Sequence, residues 1–372
     1  MYNSFRAATN LLQQLIEIPS FSGKENQATD LVQDYFASFH IKTQRKGNNV
    51  WCFNKYYDAA KPTILLNSHL DTVVPNECYT HDPFRPEICD GKLFGLGSND
   101  AGGCLVSLIA AFQHFYSYQG LPYNLCVAAT AEEENSGING IRAILPELGH
   151  IDAAIVGEPT QLQIAVAEKG NMVIDCLYTG KPGHAAREEG DNAIYKCLKD
   201  LEWFKSHRFQ RIIGGNEPVK MTVTQINAGT QHNIVPAKCM LTVDIRFDHS
   251  YTVEQILFII KEKTNSEISV MPGILRPKSI SCDHSLVKAG ISCGCGTYIS
   301  PTSSDLGWLP VPAIKLGPGN SARSHSADEF VLLEEIKSGI DLYIRLLESE
   351  QLAHNIDWKR PGNAFPATKS YA

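Results

Sequence analysis

Positive charge is scarce in this 372-residue chain: 33 Lys and Arg face 40 Asp and Glu, a net charge of −7 with neutral His. That shortage excludes a basic face for nucleic-acid phosphates. Charge of either sign is sparse, at 20% against 43% hydrophobic residues. Dominant disorder needs the opposite balance, so a sizeable core is expected. Long apolar runs are missing. The stretch Cys104-Leu105-Val106-Ser107-Leu108-Ile109-Ala110-Ala111-Phe112 is far short of the ~18 residues that span a membrane, and Ser107 interrupts it. The first residues lack the basic start, apolar stretch and small-residue cleavage site of a secretion signal. Phe5, Leu11, Leu12, Leu15 and Ile16 instead recur at helical spacing up to Pro19. A cytoplasmic location is expected, with no membrane partner and no nucleic-acid partner. Internal repeats and low-complexity tracts are also missing. The 11 Cys are odd in number and scattered, which fits free buried thiols in a reducing compartment. Cys293-Gly294-Cys295 reads as a turn, because no second pair or nearby His completes a four-ligand metal clip.

At about 150 residues per domain, the length points to two domains. The first part alternates strand and helix signals: strands at 63–68, 124–130 and 153–156, helices at 104–116 and 141–148. Such alternation predicts an α/β fold with a mixed, largely parallel sheet. The middle reads differently. Met172–Leu177, Met221–Ile226 and Met240–Phe247 alternate like half-exposed strands, with helices around 191–207 and 253–264. That pattern predicts a small α+β unit with one open sheet face. The α/β signals then return, with a strand at 313–316 and a long amphipathic helix at 331–348. The expected division is 1–169 with 283–372 as one domain and 170–282 inserted into it. The residues from about 352 read as a surface tail.

Five segments at predicted strand ends or turns carry side chains that bind metals. His69-Leu70-Asp71 closes the first strand, and its two-residue spacing puts both side chains on one side. One can ligate while the other holds the imidazole, although such a pair is also common at surface turns. Gly95-Leu96-Gly97-Ser98-Asn99-Asp100 leads into the helix at 104. A dinucleotide reading fails there, because Asp100 stands where the pyrophosphate fingerprint needs Gly. An acid at this turn attracts cations; it can also serve as a helix N-cap. Glu132-Glu133-Glu134 is a solvated face if taken alone. It directly follows the buried-looking Cys126-Val127-Ala128-Ala129, and neighbouring carboxylates can divide into ligand and general base. Gly157-Glu158-Pro159 follows another buried strand, and Gly317-Pro318-Gly319 leads to His325. Open α/β sheets bind ligands at the carboxyl ends of their strands. Two His and three carboxylates exceed one tetrahedral zinc and suit two metals sharing a carboxylate.

With these motifs in this order, the chain resembles the M20 family of zinc-dependent amidohydrolases over nearly its whole length. Its strongest likeness is to the acetylornithine deacetylase and succinyl-diaminopimelate desuccinylase group, through His69-Leu70-Asp71-Thr72-Val73, Gly157-Glu158-Pro159-Thr160 and the approach to His325. The resemblance implies a zinc-aminopeptidase-like catalytic domain and an inserted lid and dimerisation domain. It implies two Zn2+, with Co2+ or Mn2+ also suited to the N/O donors. His69 and Glu158 would hold one metal, Glu134 and His325 the other, with Asp100 bridging. Glu133 matches the general base and Asp71 the partner of His69. Gly183-His184-Ala185-Ala186 matches the motif whose His reaches the other subunit's site in a homodimer. Asn233, in Gln231–Pro236, and Arg246, in Asp244-Ile245-Arg246, match lid residues that contact substrate. Without the family, His184 and Arg246 read as ordinary surface residues.

Three departures stand out: Gly102 replaces the usual Lys, Glu132 replaces the usual Asp, and Ser300–Asp305 follows the family's Thr/Ser-Asp theme loosely. The last falls where substrate contacts are expected. The implied function is hydrolysis of an N-acyl amino acid, first N-acetylornithine in arginine biosynthesis. An N-succinyl amino acid, N-acylcitrulline or a dipeptide is the alternative, and a catalytically silent metal- or peptide-binding relative is the reading from another class.

Overall fold

The computed structural model describes residues 2–210 and 218–354. Most of the expected tail therefore lies outside the described residues. The main sheet runs, by strand, 44–46, 49–53, 124–130, 63–69, 153–156, 313–315, 164–168 and 278–279, and 297–300 also pairs with 164–168. The central pairings of Thr63–His69 with Asn124–Thr130 and Ala153–Val156, and of Ala313–Lys315 with Ala153–Val156, are parallel. The outer pairings of 44–53 and of 278–279 are antiparallel. The expected mixed, largely parallel α/β sheet is what forms.

Its central strands are buried throughout because both faces are covered, and their middles are apolar. Ile64 and Leu66 enter the core beneath helices Tyr2–Ile16, Asn26–Ser38, Gly103–Phe115 and Leu333–Leu347. Leu65 between them points to the opposite core, with Cys126, Ala154, Ile141 and Leu306. Each such buried leucine contributes about 1.5–3 kcal/mol of transfer energy.

Beyond Glu168 the chain leaves this sheet. Gly170–Thr179 opens a second, fully antiparallel sheet of order 219–228, 238–247, 170–179 and 267–270. Met172, Ile174, Cys176, Leu241, Val243 and Ile245 pack with helices Ala193–Ser206 and Val253–Lys263 on one face. Asp175, Asp244 and Arg246 lie on the more open face. The chain rejoins the main sheet at Lys278–Ser279.

Two helix expectations are corrected. The stretch 141–148 holds an α-helix only over Ile141–Ile144. Pro146 has no N–H to continue the ladder. The helix expected from 331 begins at Leu333, because Phe330–Leu332 pairs with Lys92–Phe94. All 11 cysteines are free, and most are buried. The Sγ atoms of Cys197 and Cys239 touch at 3.6 Å. Cys293 and Gly294 end the helix Ser285–Ser292, Gly294 with φ +96°, so this pair forms a turn as expected. No helix among the described residues is long and apolar enough to cross a membrane.

Candidate metal centre

Sheet register decides which side chains meet. His69 stands opposite Thr130, Asn67 opposite Val156, and Val156 opposite Lys315. The carboxyl ends of these parallel strands therefore share one edge. His69, Glu133, Glu134 and Glu158 leave that edge, and the turn at Asp100 and the loop at His325 close over it. His69 Nε2 lies 3.4 Å from Asp100 Oδ1, 3.8 Å from Glu158 Oε1 and 4.0 Å from Glu133 Oε2. His325 Nε2 lies 2.9 Å from Glu134 Oε2 and 3.6 Å from Asp100 Oδ2. One carboxylate, Asp100, thus offers one oxygen to each histidine. Donor atoms of His69, Asp100 and Glu134, and those of His69, Glu133 and Glu158, fall within 4.8 Å of one another.

The electrostatics follow from crowding. Burial and the charge of Asp100 push Glu158 up to about 8. Burial and Glu158 raise Glu133 well above the carboxylate range. The hydrogen bond that His325 donates to Glu134 lifts the imidazole to about 9. Burial opposes charge on His69, but Asp100, Asp71, Glu133 and Glu158 outweigh it and hold the imidazole well above its usual value. Such a cluster concentrates negative charge that a dication balances.

His69 Nε2 tests whether a metal suits these residues. It is buried and makes no hydrogen bond, although three carboxylates face it. Its other nitrogen, Nδ1, lies 2.8 Å from the backbone carbonyl of Asp71. With Nδ1–H so donated, Nε2 faces the carboxylates, and a metal ion bound among them would take the place of its proton. The residues fit a cation held by nitrogen and oxygen donors.

Asp71 does more than its spacing suggested. Its carboxylate is 3.5 Å from His69 Nδ1, so its own carbonyl does most of the orienting. The carboxylate accepts the Ser22 hydroxyl at 2.7 Å and the N–H groups of Glu133 and Glu134 at 3.0 Å each. The N-cap alternative for Asp100 is not observed. The helix begins at Gly103, Gly102 occupies the cap, and the Asp100 side chain caps nothing. Glu132 points away from the cluster: with φ +56°, its carboxylate accepts the backbone and side-chain N–H groups of Asn139.

Among the described residues, no hydrogen bond or ion pair joins His184, Asn233 or Arg246 to this cluster. His184 is exposed on a short ladder, Gly183–His184 against Ile234–Val235. Asn233 lies beside it, its carbonyl accepting the Ala185 N–H at 3.0 Å. Arg246 already pairs through Nε and Nη2 with Asp244, at 2.8 Å each, and donates Nη1 to Ser303 at 3.2 Å. Two residues of the segment Ser300–Asp305 bond groups behind the centre. Ser304 bonds Glu168 at 2.7 Å, and Asp305 accepts from Asn67 at 2.8 Å and Thr130 at 3.0 Å.

Sequence reasoning missed the charges behind the site. Glu25 accepts the Glu132 N–H at 3.2 Å, and Lys315 and Glu168 form a fully buried pair at 3.1 Å. Glu329 accepts three backbone N–H groups of the Asp100 turn. Glu329 stands just past the His325 motif, but nothing in its spacing gave it a role.

A buried histidine facing carboxylates at strand ends is a group that could hold metal ions. Residues 65–349 match peptidase family M20/M25/M40, and the chain belongs to that family as a metal-dependent amidohydrolase. It is 30% identical over 382 residues to acetylornithine deacetylase of Proteus mirabilis, covering 92% of this chain and 96% of that protein. It is 27% identical over 379 residues to succinyl-diaminopimelate desuccinylase of Methylococcus capsulatus, covering 91% and 97%. Its fold is similar to the crystal structure of a tripeptidase from Staphylococcus aureus, with TM-score 0.72 and 20% identity over 92% of this chain and 98% of that one.

Proposed function

We propose that the chain removes the acyl group from a small N-acyl amino acid, first N-acetylornithine, in arginine biosynthesis in the cytoplasm. The observation that carries this reading is His69 Nε2, buried and unpartnered before Asp100, Glu133 and Glu158. Two zinc ions are the proposed cofactor, and cobalt or manganese suits the same donors. His69, Asp100 and Glu158 would hold one, and Asp100, Glu134 and His325 the other. Bound there, the metals would polarise the acyl carbonyl and make water acid enough to attack near neutral pH.

Glu133 takes the proton of the attacking water and delivers it to the departing nitrogen. Asp71 keeps His69 and the Glu133 turn in register. His184 of a second subunit polarises the carbonyl, and Arg246, with Asn233 nearby, grips the α-carboxylate. The unit 170–282 would be the lid and dimerisation domain. Its strand Val219–Ala228 supports that reading: ten residues long and proline-free, it is paired only with 238–247 among the described residues. Such an edge invites a second copy. The helix Ala193–Ser206 packed against it exposes Tyr195 and Leu198, at 72% and 52%.

A succinyl group would need a second cation. Of the two candidates, Arg323 is closed on Glu335 at 2.7 and 3.1 Å and Arg187 is exposed, so the acyl group is decided by assay. The test is free-amine release from N-acetyl and N-succinyl forms of ornithine and citrulline, with zinc and with chelator. Chelator-sensitive release from acetylornithine alone supports the reading. Release from a succinyl form alone gives the desuccinylase. No release from any form, with two metals bound, removes the reading and turns the search to dipeptides and a silent binder.

A further inference from the structure

The turn that carries Asp100 is held from behind by one carboxylate. Glu329 is 2% exposed. Its Oε1 accepts the N–H groups of Asn99 and Asp100 at 2.8 Å each, and its Oε2 accepts that of Gly97 at 3.1 Å. Its own carbonyl accepts the Gly95 N–H at 3.0 Å. No Lys, Arg or His forms an ion pair with it among the described residues. A buried carboxylate without a cation is stabilised only by donors aimed at it. Three N–H groups converging from one turn form such an anion nest.

The turn can take this shape because Gly97 sits at φ +74°, where a Cβ would come within 2.5 Å of Thr72. Asn99 then ties the turn to the opposite loop, accepting the Asn320 N–H at 2.9 Å and donating to the Asn320 carbonyl at 3.1 Å. Asp100 is held between these two anchors by its backbone. Its two oxygens face His69 and His325 at 3.4 and 3.6 Å. Among the described residues Glu329 makes no hydrogen bond or ion pair with either histidine, although its charge also acts on His325.

We propose that Glu329 is a positioning residue for the metal centre: by gathering the N–H groups of Gly97, Asn99 and Asp100, it fixes where the bridging carboxylate points. This rests on the reading of Asp100 as the bridge. Loss of that anchor lets Asp100 swing, which weakens binding of both metals at once while leaving the other ligands in place. Glu329→Gln keeps the size of the side chain but turns an NH2 group towards at least one N–H. Glu329→Asp keeps the charge but falls one methylene short of the turn.

The test is metal competition against a chromophoric chelator for wild type, E329Q, E329D and D100N, with the visible spectrum of each Co2+-loaded protein. Partners of metal ligands typically affect affinity or activity by 10–100-fold. E329Q is expected to lose roughly tenfold or more in affinity for both equivalents, to show a changed Co2+ spectrum, and at saturating metal to lose kcat more than KM. E329D should fall between E329Q and wild type, and it answers the question if E329Q does not fold. Wild-type affinity and spectrum in a folded E329Q or E329D overturn the proposal, even if the melting temperature falls. If D100N itself binds both equivalents as wild type does, it is the bridging reading that has failed.

Discussion

Asp71 Oδ1 accepts the backbone N–H of Glu133 at 3.0 Å. The residue that orients the His69 imidazole through its carbonyl therefore also fixes the turn carrying the proposed base. Its carboxyl is held below its usual range: burial opposes this, but His69 and the Ser22 hydroxyl outweigh it. Asp71→Asn keeps the carbonyl contact to His69 but puts an NH2 group against one of the two N–H donors. Metal affinity should fall modestly while kcat falls by roughly 10–100-fold. Steady-state kinetics at saturating metal checks this, and an unchanged kcat contradicts it.

Lys315 and Glu168 tie residues 302–304 to the sheet beneath the centre. Lys315 Nζ donates to the Thr302 carbonyl at 3.0 Å and to Glu168 at 3.1 Å. Burial raises Glu168, while Glu168 and Glu158 hold Lys315 above its usual value against burial. Lys315→Met leaves Glu168 buried with no cation, which should destabilise the protein by about 3–5 kcal/mol. Adding Glu168→Gln should recover most of that loss, read as the coupling in a double-mutant denaturation cycle. Additive losses would mean the pair does not act as a unit.

Burial lifts Asp305 from 3.8 to about 6, against the hydrogen bond from Asn67. A carboxyl raised on folding favours the native state below pH ~4 and loses that advantage as pH rises to ~6. The shift of about 2 units is worth ~3 kcal/mol above that window. In chelator-stripped protein, Asp305→Asn should therefore gain on wild type by about 2 kcal/mol between pH 4.5 and 7.5. Denaturant midpoints at the two pH values measure it. A gap that stays constant would show that Asp305 does not titrate there.

Arg246 has its fork engaged by Asp244, leaving Nη1 on Ser303. If it also receives the substrate's α-carboxylate, Arg246→Ala should lower kcat/KM by the worth of a charged hydrogen bond, about 1.5–3 kcal/mol or roughly 10–150-fold. The same change should matter little for the α-amide of the same substrate. Equal losses on both would assign Arg246 to holding Ser303 instead.

The strand ends were legible because each strand carries a buried apolar run, 64–66, 125–129 or 153–156, that stops shortly before His69, Glu132 or Glu158. The proposed ligands and base stand beside those stops. Residues whose role depends on partners far away in the chain left no such mark. Glu329 looks like any acid before a strand until Gly97, Asn99 and Asp100 turn their N–H groups to it. Lys315 sits in an apolar strand and finds Glu168 only through the sheet. Asp100 invited an N-cap reading because the turn and the helix adjoin in sequence; the helix starts three residues later, and the side chain turns to the histidines. Val331 reads as helical by spacing but pairs with Leu93, a contact no local pattern encodes.

Holding the metals and moving the proton fall to different carboxylates, and Glu133→Gln divides the two. The measurement is bound metal and acyl-substrate turnover in the same preparation of that variant. The account predicts two equivalents of metal, as in wild type, with kcat reduced by roughly 10²–10⁴-fold. Turnover close to wild type would remove Glu133 as the base, and loss of a metal equivalent would make it a ligand instead.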